Sequence, residues 1–147
     1  MNALKHRKAE ARLRLLNPDG TPAANCPVRA DQVSHQFLFG CGMYSVLFAH
    51  QLVEAITTWD FNDGCWLKAP SGFVREDNSE KPSYAALKEL VHGTWETHTA
   101  LNTDADGWIT LEGFKGNYTL KTSRGSASFA LTEDRTDTLT LAEDPFL

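Results

Sequence analysis

Within eight residues, Trp59, Asn62, Asp63 and Trp66 supply two indole faces, an amide and a carboxylate. Pyranose rings present apolar C–H faces that stack on indole, and their hydroxyl rims take hydrogen bonds from amide and carboxylate groups. These four residues therefore read as a carbohydrate-binding platform. The stretch that holds them, EAITTWDFNDGCWLKAPSG from Glu54 to Gly72, starts as a buried strand and opens into a loop ending in Pro-Ser-Gly. Asp60 and Asp63 are the carboxylate pair of that loop. Retaining glycoside hydrolysis needs two carboxyl groups about 5–5.5 Å apart, one of them carrying a proton at working pH. On a strand end, Asp60 and Asp63 would lie about 10 Å apart along the chain unless the backbone turns. They are the catalytic candidates; the plainer reading is loop carboxylates that cap turns and face water.

A second group of letters resembles a calcium loop. Asn102, Asp104 and Asp106 stand at positions one, three and five, with Gly107 at six. The acidic residue expected at position twelve is replaced by Gly113, and a turn between strands explains the same pattern. No other metal and no cofactor is expected. Trp108, Phe114 and Tyr118 form a further aromatic group, which at strand spacing reads as core. His35, His50, His92 and His98 have no cysteine or serine at a spacing that implies a dyad. Cys26, Cys41 and Cys65 are three, so at least one is unpaired, and their spacing matches no zinc motif. They read as buried thiols.

The elements that must position these residues follow from periodicity. A chain of 147 residues with 41% hydrophobic and 22% charged residues has the composition and length of one globular domain. A net charge of −5 argues against a nucleic-acid partner, and no apolar run is long enough to cross a membrane as a helix. The basic run Lys5-His6-Arg7-Lys8 reads as a solvated lead-in, and nothing at the N-terminus reads as a signal peptide. Residues 11–16 and 27–33 alternate as half-buried strands, and 37–39 form a short apolar one. Residues 44–50 read as a short helix and 52–59 as a strand buried on both faces. Tyr84, Leu87, Val91 and Trp95 recur at helical spacing over 82–95, with Ser79 as N-cap candidate and Pro82 in the first turn. Four more strands are expected at 108–111, 116–122, 127–131 and 138–141, the pattern of an antiparallel sandwich.

The segments 52–63, 69–77 and 81–87 resemble the last β/α unit of family 10 glycoside hydrolases, the (β/α)8-barrel xylanases. His35 to Cys41 resembles the lead into that barrel's first strand, and 108–120 resembles flanking β segments. The resemblance implies that the tryptophans at the end of the last strand line sugar subsites. It also implies a secreted parent protein. Strands two to seven of such a barrel have no counterpart here, and neither does the family's acid/base or its nucleophile, so no catalytic residue is carried over.

The expected architecture is mainly β with one or two helices. An Ig-like or jelly-roll-like sandwich would be built from 11–43 and 96–147, with 44–95 packed on it as an α–β–α remnant of the barrel, all in a single domain over 1–147. The expected function is non-catalytic binding of xylan or a related β-1,4-linked plant polysaccharide. The alternatives are a small glycoside hydrolase using loop carboxylates, and a ligand-free structural remnant or engineered deletion. A buried-type strand left at an edge invites pairing with a second copy, so a homodimer is also expected.

Overall fold

The computed structural model describes residues 4–37, 60–65 and 67–143. The chain divides into two compact units, Met1–Gln36 with Glu96–Leu147, and Phe37–Trp95. Among the described residues, the strands all belong to the first unit: β1 (Lys8–Leu16), β2 (Pro27–His35), β3 (His98–Asn102), β4 (Trp108–Phe114), β5 (Gly116–Thr122), β6 (Gly125–Leu131) and β7 (Arg135–Thr140). They form two sheets, ordered β4-β1-β7 and β3-β2-β5-β6. The N- and C-terminal strands thus join in one mainly β, two-sheet unit, as the alternating patterns require.

The sheets meet through their apolar faces. Leu13 and Leu15 of β1 and Leu111 of β4 share one buried cluster with Val28 of β2, Tyr118 and Leu120 of β5, and Leu131 of β6. Strand β1 shows the cause most simply. Ala9, Ala11, Leu13 and Leu15 are buried, while Glu10 and Arg12 between them are exposed. Side chains on a strand alternate between faces, so every second residue enters the core. In the outward rows, the Arg12 guanidinium lies 4.8 Å from the Trp108 ring centroid and the Lys8 ammonium 5.0 Å from that of Phe114. Each cation sits over an aromatic face.

Strand β1 pairs antiparallel with β4, but parallel with β7 from Ala11↔Arg135 to Leu16↔Thr140. The first and last strands of the unit are therefore neighbours running in the same direction. Strands β2 and β3 are antiparallel neighbours, from Pro27↔Asn102 to Asp31↔His98. The whole second unit is thus an insertion in the connection of one hairpin. A β-bulge between Gln32 and Ser34 places Val33 outward, 60% exposed, while Gln32 is buried.

Two expected elements differ in detail. The helix over 82–95 is α-helical over Pro82–Glu89 (α1) and continues as a π-helical turn over Leu90–Thr94. Its N-cap is Lys81, with no side-chain cap; Ser79 instead accepts from Arg75 and donates its amide to Asp77. The helix 44–50 and strand 52–59 lie outside the described residues, as does the edge on which the homodimer expectation rested. No piece of a (β/α)8 barrel is shown: the described part of the second unit is loop, isolated bridges, α1 and the turn that follows it. This corrects the expectation of a barrel remnant.

Candidate functional site

The loop singled out by sequence lies in the second unit, and its backbone doubles back on itself. Asn62 bridges Val74 in parallel, and Val74 bridges Glu80 in antiparallel fashion. The Phe73 amide donates to the Phe61 carbonyl at 2.8 Å, and the Asp63 amide to the Val74 carbonyl at 2.9 Å. Gly72 passes so close to the opposite strand that a Cβ there would lie 2.3 Å from the Asn62 carbonyl carbon. Only glycine fits that crossing.

The polar side chains are consumed by this fold-back. The Lys81 ammonium donates to Asp63 Oδ1 at 2.5 Å, to the Pro70 carbonyl at 3.0 Å and to the Gly72 carbonyl at 2.9 Å. An ammonium has three donors, and all three are placed. Asp63 Oδ1 also accepts from the Gly72 amide at 3.0 Å. The hydrogen bond from Lys81, outweighing desolvation and helped by the Gly72 amide, holds the Asp63 carboxyl below the ordinary carboxylate range. A general acid needs the opposite shift. Asn62 Nδ2 donates to Asn78 Oδ1 at 2.6 Å, and Asp60 accepts from the Ser71 hydroxyl at 3.4 Å. Asp60, Asn62 and Asp63 are thus brought into one loop, each with a partner inside it. Trp59 and Trp66 lie outside the described residues.

Phe61 and Phe73 of the loop form an aromatic triangle with Tyr84 of α1, with centroids 5.7–6.5 Å apart. An open surface depression of about 350 Å3 is lined by Asp63, Lys68, Pro70, Arg75 and Glu76, among others. Among the described residues, none that lines it is aromatic.

At the calcium-like loop, Asp104 Oδ1 accepts from the amides of Asp106 and Trp108, each at 2.9 Å. Asn102 is a strand residue paired with Pro27. The three side chains thus belong to a turn and a strand end. No group of three or more His, Cys, Asp or Glu side chains converges among the described residues. Cys26 is buried and Cys65 exposed, both as free thiols; Cys41 lies outside the described residues.

A polar cluster inside the sandwich was not anticipated from sequence. Gln32 is buried in the sandwich and makes contacts at both ends of its amide. Its Oε1 accepts from the Thr97 amide at 3.0 Å and lies 3.3 Å from the Tyr118 hydroxyl oxygen. Its Nε2 donates to the Ser34 and Lys115 carbonyls, each at 3.3 Å, and meets His35 Nδ1 at 3.2 Å. Tyr118 donates at 2.6 Å to the carbonyl of Phe114, four residues upstream. This is the geometry of a tyrosine corner. Burial above all pushes the Tyr118 phenol up to about 12, against the lowering effect of its hydrogen bond with Thr97, while the Glu96 charge adds to the rise. The available signal was a polar residue, Gln32, at an inward position of an alternating strand.

The comparisons with known proteins correct the family resemblance. No family model matches the chain, and no curated protein matches it. Solved structures it is similar to include several pilins. A streptococcal ancillary pilin matches at 12% identity and TM-score 0.40, over 93% of this chain and 32% of the pilin's. The C-terminal domain of the shaft pilin SpaA from Lactobacillus rhamnosus GG matches at 11% identity and TM-score 0.40, over 93% and 98%. The group B streptococcus pilus 2b backbone protein matches at 12% identity and TM-score 0.37, over 91% and 41%. This chain spans about a third of the ancillary pilin. At these values no pilin property is carried over. The expectations of a xylanase fragment, of xylan binding and of a plant polysaccharide partner are overturned. The physical reason lies in the loop itself: the letters that resembled a sugar site encode a fold-back tied by Lys81.

Proposed function

We propose that this chain is a structural module: a β-sandwich spacer whose hairpin carries a second unit, and whose polar loops serve the fold. One observation carries the reading. Strands β1 and β7 are parallel neighbours over six residue pairs, so the chain enters β1 at one pole of the sandwich and leaves β7 at the other. The strand span from Lys8 to Leu16 is about 26 Å at the ordinary rise per residue. A unit built this way adds its length to whatever assembly it joins. The internal pairing of Asp63 with Lys81 and of Asn62 with Asn78 supports the same reading, because these side chains are engaged in tying the loop. The finer assignment, an Ig-like sandwich, is supported by the tyrosine corner and by two sheets packed face to face. A secreted or cell-surface setting is compatible with it.

The test is small-angle scattering of one, two and three copies joined end to end by short linkers. The spacer reading predicts that each added copy extends the largest dimension by at least about 26 Å, the strand span. Copies that fold back side by side, with little growth in length, would overturn it.

A further inference from the structure

Resting on that spacer reading, we propose that the paired terminal strands are a shear clamp. A load applied to the two ends of the chain is carried by the β1–β7 ladder, and the inserted unit stays outside the load path until that ladder breaks.

The geometry is set by direction. A pull on the N-terminal side acts at the start of β1, near Lys8. A pull on the C-terminal side acts at the end of β7, near Thr140. The strands run parallel and in register from Ala11↔Arg135 to Leu16↔Thr140, so the two pulls slide one strand along the other. Every ladder bond is then strained at once. Pulled apart from a shared end, the same bonds would break one after another.

Both ends of the ladder are reinforced. At its start, the Glu10 amide donates to Asp134 Oδ1 at 2.9 Å, in the turn before β7. At its finish, the Leu141 amide donates to the Leu16 carbonyl at 2.8 Å. Ala142 then exchanges two backbone hydrogen bonds with Ser126 of the other sheet, at 2.8 and 2.9 Å. The exit of the chain is therefore fastened to both sheets. Arg135 adds a tie across the sandwich edge, donating to the Ala130 carbonyl of β6 at 2.8 Å while pairing with Asp137. On the other side, β1 is held by β4 over seven residue pairs, so it cannot yield alone.

The path also explains where the insertion sits. Residues Phe37–Trp95 join β2 to β3, and neither strand belongs to the β4-β1-β7 sheet. Tension entering at β1 and leaving at β7 crosses the ladder directly. It reaches the insertion only after β1 or β7 has detached.

Optical-trap unfolding of the full chain tests this in two geometries. In one, the handles are on the two chain ends. In the other, they are on the N-terminal end and on a click-reactive residue replacing the exposed Glu133, in the turn before β7. The second geometry loads the same ladder from one pole and peels it. The clamp predicts a several-fold higher rupture force in the first geometry at equal pulling rate, because forced unfolding reads the barrier that the load crosses. It also predicts that the extension of the insertion appears only at or after that rupture. Equal forces in the two geometries, or release of the insertion before the main rupture, would overturn it. Either result leaves the scattering test of the spacer untouched, so the two readings fail separately.

Discussion

Replacing Gln32 by leucine tests the polar knot that holds the hairpin on both sides of the insertion. The side chain is 2% exposed, so water cannot replace what it loses. The Lys115 carbonyl keeps the Gln36 amide at 2.9 Å, and the Tyr118 hydroxyl keeps the Phe114 carbonyl at 2.6 Å. The loss falls on the Thr97 amide, whose hydrogen bond goes to Gln32 Oε1, and on the Ser34 carbonyl, which accepts from Gln32 Nε2. An orphaned buried donor costs about 1–3 kcal/mol, and a leucine methyl group recovers part of it. A net loss of about 2 kcal/mol lowers the melting temperature of a unit this size by on the order of 10 °C. Gln32→Glu should be worse than leucine, since its carboxylate would face the Ser34 and Lys115 carbonyls without a donor. The assay is thermal unfolding by circular dichroism, with amide exchange at Thr97 read in parallel. A melting temperature within about 2 °C of the parent, or unchanged protection of Thr97, would refute the assignment of the knot.

Gly113→Ala should destabilise the sandwich by about 1–3 kcal/mol in urea unfolding, because its Cβ would stand 2.4 Å from the buried Tyr118 hydroxyl. Lys81→Met should open the 62–74 fold-back to limited proteolysis while leaving the seven-strand unit resistant, since Lys81 supplies three of the loop's ties. The His98–Asp31 pair, at 2.8 Å, gives a pH dependence. The hydrogen bond that His98 donates to the Asp31 carboxylate raises His98 above its ordinary 6.5 despite desolvation, so its contribution is complete below that value and fades as pH rises through the raised one. Burial alone would raise Asp31, but the hydrogen bonds and charges of His98 and Arg29 outweigh it and hold the carboxyl below 3.8; its contribution is present above that value and fades as pH falls through the lowered one. His98→Ala should therefore cost most between these limits, by no more than about 1 kcal/mol for so exposed a pair, in melting curves from pH 3 to 9.

Much of the sandwich was legible because burial on a strand has period two. Strand β5 lies at 116–122, as its letters predict, and Ala9 to Leu15 alternate without a fault. Strand β3 was missed because it is an edge strand whose inward residues, Thr99 and Leu101, are only half-buried. Strand β7 read too short because Arg135 and Asp137 take inward-phase positions that a pattern search expects to be apolar. They can do so because the strand is at an edge, where Arg135 reaches the Ala130 carbonyl. The parallel pairing of β1 and β7 joins residues more than a hundred apart, and no local pattern encodes such a partner.

The site was legible only as composition. Asp63, Asn62 and Asp60 are as suited to tying a loop as to holding a sugar, and the choice depends on what else reaches them. Lys81 decides it for Asp63, from eighteen residues away. Gln32 and Tyr118 were harder still, because a knot that closes through Thr97 needs the hairpin strands to meet across the insertion.

The pairing of the terminal strands is most directly tested by nuclear Overhauser contacts in the isotope-labelled full chain. The structure predicts parallel cross-strand contacts joining Ala11 to Arg135, Leu13 to Asp137 and Leu15 to Leu139. An antiparallel pattern between these strands, or contacts from β7 to a strand other than β1, would contradict both the spacer and the clamp.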